Sequence, residues 1–449
     1  MEHSKATQSA IAKAARRLLP FLVLCYMMNF LDRVNVGFAA LAMNEDLGFS
    51  PSVFGAGAGI FFIGYILFEI PSNLALQRFG ARIWIARIMI SWGLISAAMA
   101  LVTGPTSFYL VRFLLGVAEA GFFPGVILYL TYWFPARERA RIVSLFMAAI
   151  PLANVIGAPL SGALLGLDGL GGLKGWQWMF ILEGLPAVVL GLITLAFLDD
   201  KPAEAKWLSQ DERQALTAEL EAEAEATKKV GYQGLFEALT RPRVLVLGIL
   251  YFCFVIGLYG IGFWMPQVIE TFGHTPLQIG FLTAVPYLFA AVAMVLWGRH
   301  SDRTGERTWH VALPLFLAAS AFAWSSVSGP LVPTMIALTL ASIGIYCAIG
   351  TFWSFPTAIL TGTGAAAGIA LVNSMGNLGG LVGPALIGVL KQQTDDFTAS
   401  LLFLAGSLAL AGAIALLFGY AGHAIHLLPA GKNRPQSGRV KGARDENGR

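Results

Sequence analysis

Apolar runs of about 20 residues, the length a helix needs to cross a bilayer, recur from Leu19 almost to the end of the 449-residue chain. The breaks between them give spans near 19–41, 53–76, 83–102, 106–132, 142–165 and 177–198, then near 244–269, 277–298, 310–328, 331–360, 367–390 and 398–419. Lipid offers the backbone no hydrogen-bond partner, so runs of this length must be helical. The pattern predicts an all-α membrane protein of twelve spans in two six-helix halves, 19–198 and 244–419. Between them lies one long charged stretch, 199–243, in which Ser209 and Glu212 have capping-box spacing ahead of Leu216 and Leu220. It reads as a solvated helix joining the halves, with residues 1–18 and 420–449 as tails.

Composition agrees: 56% of the residues are hydrophobic and 12% charged, about half the charge of a soluble protein. The net charge of +4 does not point to nucleic acid, because the basic residues fall in short clusters between spans. Lys5, Lys13, Arg16 and Arg17 lie in the N-terminal tail. Arg78, Arg82 and Arg87, then Arg137, Arg139 and Arg141, then Arg299, Arg303 and Arg307 flank short loops, while alternate loops hold little beyond Lys174 and Lys391. The positive-inside rule then places both termini and the middle stretch in the cytoplasm. The polar start followed by a long apolar run predicts no cleaved signal. Cys25, Cys253 and Cys347 lie singly, without the spacing of a disulfide framework or metal site, and no histidine lies deep in a span. The Gly-rich run 166–175 is an outer loop, and no Walker-type phosphate loop is present, so neither ATP nor any other cofactor is implied.

The halves repeat. NLALQRFGAR (73–82) and GRHSDRTGER (298–307) each follow a second span, and Arg78, Gly80 and Pro159 match Arg303, Gly305 and Pro384 at one offset. Two homologous halves are the architecture of transporters that rock about a central site. Gly121, Gly125, Gly157, Gly376, Gly379, Gly380 and Gly383 are small residues that such moving interfaces need.

Ionisable side chains inside a membrane are costly and mark function by default. The first half has Asp32, Arg33, Glu69, Arg112, Glu119 and Glu183 within its spans; the second half has none. Arg112 and Glu119 share a helix face about 10 Å apart, so they line one space without simply pairing. Asp32 and Arg33 point about 100° apart and need partners on other helices. Depth along the spans makes Asp32 with Arg112, and Arg33 with Glu119, candidate alternating partners, without choosing a pairing. The competing reading is that these four only tie helices together. Glu69 and Glu183, beside Pro71 and Pro186, read as structural groups bonding loop or backbone atoms.

The second repeat, with Gly298, Asp302, Arg303 and Gly305, fits the signature loop of the major facilitator superfamily. The first departs from it, with Asn73 for Gly and Gln77 for Asp. More narrowly, LDRVNVGFA (31–39), GYILFEIPSN (64–73), RFLLGVAEAGFFPG (112–125) and NSMGNLGG (373–380) resemble the anion:cation symporter family, whose similar members carry tartrate, phthalate, hydroxyphenylacetate or sugar acids in bacteria. The resemblance implies that Asp32 and Glu119 carry protons, that Arg112 meets the substrate carboxylate and that Arg33 balances Glu119. It implies further substrate contacts at Tyr65, Trp353, Ser354, Asn373 and Asn377, and gating loops at Arg78, Gly80, Asp302 and Arg303. An arginine binds either a protein or a substrate carboxylate; when substrate takes it, the protein carboxylate loses its partner and takes up a proton.

The expected function is therefore not enzymatic. It is proton-coupled symport of a small organic anion, a hydroxy or aldaric acid such as tartrate or an aromatic carboxylate, by a monomer in the bacterial inner membrane. Na⁺ coupling or exchange of the same anions, and a membrane sensor that binds an acid without moving it, are the alternatives.

Overall fold

The computed structural model describes residues 2–228, 242–359 and 363–426, and the secondary structure there is helical. Seventeen α-helices follow in order: α1 Glu2–Val34, α2 Val36–Leu47, α3 Pro51–Phe79, α4 Ala81–Ala98, α5 Pro105–Glu119, α6 Phe122–Trp133, α7 Ala136–Met147, α8 Ala149–Leu164, α9 Gly175–Phe197, α10 Gln210–Lys228, α11 Pro242–Glu270, α12 Pro276–Thr304, α13 Thr308–Ser325, α14 Leu331–Phe352, α15 Ser354–Ile359, α16 Thr363–Thr394 and α17 Thr398–His426. Short breaks divide several spans, so α1 with α2, α5 with α6, α7 with α8, and α14 with α15 each make one crossing.

Among the described residues, eleven stretches are long and apolar enough to cross a membrane. The remaining expected span, α13, has only 18 residues and begins Thr308, Trp309, His310, which dilutes its hydropathy. It nevertheless packs between α14 and α17, as a member of the second half. The molecule is thus a multi-pass membrane protein. Residues 2–18, read from sequence as a tail, continue the first span as helix. The C-terminal residues 427–449, and 229–241 of the middle stretch, lie outside the described residues.

The predicted capping box forms: Ser209 N–H donates to Glu212 Oε2 at 2.9 Å and Glu212 N–H to Ser209 Oγ at 3.2 Å. The helix it starts, α10, is solvated on one side only. Its inner face docks on the first half, where Lys13 pairs with Glu212, Arg137 with Glu219 and Arg139 with Glu223.

The halves meet mainly through α3 against α16, α8 against α12 and α2 against α11. The closest approach is at the end remote from the chain's start. There a Cβ on Gly55 would run into the Pro384 carbonyl, and one on Gly388 into the Pro51 carbonyl. Of the glycines expected at the moving interface, Gly380 does face the other half, against Phe62. Gly121, Gly125, Gly157, Gly376, Gly379 and Gly383 instead pack within their own half. Sequence spacing alone does not say which side of a helix faces the partner half. The three cysteines are buried and free.

Candidate functional site

The charges predicted from sequence converge around α1, α3 and α5. Arg112, Glu119, Asp32, Glu183 and Arg33 are 0, 0, 1, 1 and 6% exposed. Burial on this scale has to be compensated by partners, and those partners define the site.

Glu119 is the last residue of α5. Pro124 has no N–H to give the Ala120 carbonyl, and Gly121 takes a left-handed φ of 85°, so the helix breaks there before α6 begins. Arg33 reaches this end from α1, two residues before its own helix gives way at Asn35. Its Nε donates to Glu119 Oε1 at 2.8 Å, and a terminal nitrogen bonds the same oxygen. The other terminal nitrogen donates to the Tyr259 hydroxyl of α11 at 2.8 Å. Arg33 therefore ties the first half's carboxylate to the second half. Interrupted helices around polar groups are tolerated in membranes where they line a site.

Arg112 pairs with no carboxylate among the described residues. Nε and one terminal nitrogen donate to the Gly57 and Ala58 carbonyls of α3 at 3.2 and 3.3 Å. Its other terminal nitrogen has no partner among the described residues. The guanidinium lies 5.2 Å from the centre of the Phe61 ring, and Arg33 lies 5.3 Å from the same ring. The two cations thus share one aromatic ring, and each gains some cation–π stabilisation.

The pairing of Asp32 with Arg112 suggested by depth is not formed. Asp32 instead accepts from Trp92 Nε1 and Ser96 Oγ of α4, both at 2.8 Å. Glu183 accepts from the Asn35 and Ser161 side chains at 3.0 and 2.6 Å, neutral donors rather than the loop or backbone atoms expected. Glu69 departs from the expected bond to loop or backbone atoms: its Oε1 accepts from Asn373 Nδ2 of the opposite half at 2.8 Å.

Of the other residues named from sequence, Tyr65 lies beside Arg33, its ring centre 5.2 Å from the guanidinium. Trp353 packs edge-on against Tyr251, and Ser354 bonds back to the Thr351 carbonyl at 2.7 Å. Asn377 is buried one turn from Asn373. In the loops, Asp302 is held by Arg307 of its own loop at 2.8 Å, Arg303 and Arg78 are exposed, and Gly80 has a φ of 88°. The first loop lacks an aspartate, but Asp200 comes from beyond α9 to accept the Arg82 N–H at 2.8 Å. An acid there complements the positive end of α4. A small void bounded by Gly260, Trp264, Met265 and Leu404 is apolar and lies apart from these charges.

Sequence reasoning missed Tyr259, Trp92, Ser96 and Asp200. The available signal was that a Tyr or Trp inside a span seeks a partner for its polar atom; nothing local singled out Asp200.

The sequence profile of the Major Facilitator Superfamily matches residues 22–384. A protein of Agrobacterium vitis named as a tartrate transporter is 55% identical over 407 residues, covering 91% of this chain and 94% of that one. The inner membrane transport protein RhmT of Escherichia coli is 42% identical over 388 residues, 85% and 89% of the two chains. Among solved structures, a bacterial homolog of the human lysosomal transporter Spinster, in an inward-facing conformation, superposes with a TM-score of 0.75 at 18% identity, covering 90% and 97%. The inward-open xylose transporter XylE from E. coli gives 0.74 at 14% identity, covering 90% and 96%. At these identities the structures speak for the fold alone.

Proposed function

Because the chain belongs to the major facilitator superfamily, whose members are transporters and not enzymes, we propose that it imports a small organic anion together with protons by rocking one half against the other. The observation that carries the reading is Arg112: a fully buried guanidinium, held by two carbonyls, with, among the described residues, one nitrogen unpartnered and no carboxylate paired with it. A planar fork of donors in a dry site is suited to a carboxylate, and the uncompensated charge favours an anion over a neutral or cationic cargo.

Coupling follows from the second arginine. Arg33 is neutralised by Glu119. A substrate carboxylate that takes Arg33 leaves Glu119 buried without its cation, and protonation of Glu119 removes that cost. The order runs equally well in reverse, so anion and proton bind together and leave together. Asp32, bonded to neutral donors, is the second proton carrier, accepting a proton without losing an ion pair. Tyr65, Trp353, Ser354, Asn373 and Asn377 surround the remainder of the cargo, and the loops with Arg78, Gly80, Asp302 and Arg303 close the end nearer the termini. The tartrate transporter name of the 55%-identical relative supports a hydroxy acid as cargo. We place both termini in the cytoplasm from the basic loops, in a bacterial inner membrane, with a single chain as the working unit.

The test is uptake of labelled tartrate, galactarate, phthalate and hydroxyphenylacetate into proteoliposomes with and without an inward proton gradient. Gradient-dependent accumulation of one acid is the expected result. Accumulation that follows sodium instead, or only exchange, replaces the proton; binding without any uptake makes the protein a sensor.

A further inference from the structure

We propose that Glu69 selects hydroxylated acids over acids of equal charge that lack hydroxyls, a reading that deepens the transport function above and rests on it. Glu69 lies in α3 one turn beyond Tyr65, on the same helix face. It is 6% exposed. One oxygen accepts from Asn373 of the other half, and the second, Oε2, has no partner among the described residues. Its described partner is an amide, not a cation.

That combination limits what Glu69 can do with an anionic cargo. A carboxylate without a neutralising arginine repels another anion, so it contributes nothing to holding the acid group. An ionised carboxylate is, however, purely an acceptor, and a hydroxyl that donates to it makes a strong, charge-assisted bond. Asn373 fills that role across the interface with one of its N–H groups.

The order of groups along α3 sets the reach. Gly57 and Ala58 hold Arg112, Phe61 touches both guanidinium groups, Tyr65 lies beside Arg33, and Glu69 comes one turn later. The four residues from Tyr65 to Glu69 rise about 6 Å along the axis, so a short acid seated on Arg33 beside Tyr65 presents its distal atoms to Glu69. A hydroxyl there satisfies the carboxylate, whereas a methylene leaves a buried oxygen unbonded. Sites built to bond a substrate hydroxyl discriminate strongly against the analogue without it.

The experiment uses matched pairs that share their charged groups: tartrate with succinate, galactarate with adipate, and hydroxyphenylacetate with phenylacetate. Initial uptake is measured in proteoliposomes for the full-length wild type, Glu69→Ala and Glu69→Gln. The readout is the ratio of kcat/KM within a pair; because the same molecules carry both acids, it is independent of how much of a variant folds. The expected wild-type ratio favours the hydroxylated acid, and Glu69→Ala lowers it by about tenfold or more, with the unhydroxylated partner carried as well or better. Glu69→Gln keeps an acceptor for Asn373 but removes the charge, and it too loses most of the preference. A wild-type ratio near one, an unchanged ratio in Glu69→Ala, or full rescue by Gln overturns the assignment of Glu69 alone. A wild type that carries no member of any pair overturns the transport reading beneath it.

Discussion

Arg33 and Glu119, 86 residues apart in sequence, meet where both of their spans are interrupted. Arg33 precedes the break at Asn35, and Glu119 precedes the turn at Ala120 and Gly121. The pair is therefore carried on two half-helix ends rather than in the middle of rigid rods. A third group, the Tyr259 hydroxyl, brings the second half into the same cluster. Glu119, Arg33 and Tyr259 thus form one chain of contacts from the first half to the second.

Glu119→Gln tests that link. The amide has the shape of the protonated acid, so substrate exchange at equal pH on both sides is expected to persist. Accumulation driven by a proton gradient is expected to fall by about tenfold or more, the equivalent of at least 1.4 kcal/mol of lost coupling. Parallel counterflow and gradient-driven uptake on one preparation provide the comparison; normal gradient-driven accumulation removes Glu119 from the coupling path.

Arg112→Ala removes a buried guanidinium that has no carboxylate partner among the described residues. Loss of one partner from a buried charge pair costs about 2–5 kcal/mol, which is roughly thirtyfold or more in affinity. Arg112→Lys is expected to recover only part of this, because an ammonium cannot present two parallel donors. Titration calorimetry on the purified variants measures it, and wild-type affinity in the alanine variant would sink the anion-binding role.

What the sequence made legible follows a physical division. The spans were readable because lipid imposes both length and helicity, and α13 fell short by its composition alone. The buried charges were readable because each is expensive. Their partners were not: pairing depends on how helices are turned about their axes, which depth along a span does not give, and Asp32 is held by Trp92 and Ser96 rather than by Arg112. Tyr259 and Asp200 depend on contacts between residues far apart in sequence. Glu69 was read as structural because its proline neighbour suggested a local bond, and its partner Asn373 lies 304 positions away.

Gly388→Val tests the rocking motion itself. A Cβ at this position meets the Pro51 carbonyl, and backbone cannot move aside as a side chain can. Closure of the end remote from the chain's start is expected to fail, leaving that end open to solvent. Cysteines placed singly at Ser52 and Gln392, whose backbone N–H and side chain now bond at 3.3 Å, report this: labelling by a membrane-impermeant thiol reagent should rise in the valine background while net uptake is lost. Unchanged labelling together with full uptake would rule out a moving interface at these helices.

The docking of α10 gives a pH prediction outside the membrane. Burial of Glu212 opposes its ionisation, but the Lys13 ammonium, the Ser209 N–H and the Ser9 hydroxyl outweigh it and bring the carboxyl down to about 2. An acid whose value is lower when folded stabilises the fold above its unfolded value, near 4.3 for Glu, and that contribution disappears as pH falls through about 2. Protection of residues 210–228 in hydrogen exchange, corrected for the intrinsic rate at each pH, is therefore expected to be level from pH 7 to about 5 and to decline only below about 4. Glu212→Gln should reduce protection already at pH 7, by less than about tenfold because Lys13 is half exposed and its charge is screened. A wild-type decline centred near pH 6 would contradict this assignment, since it would require a group titrating there rather than a carboxylate held low by a lysine.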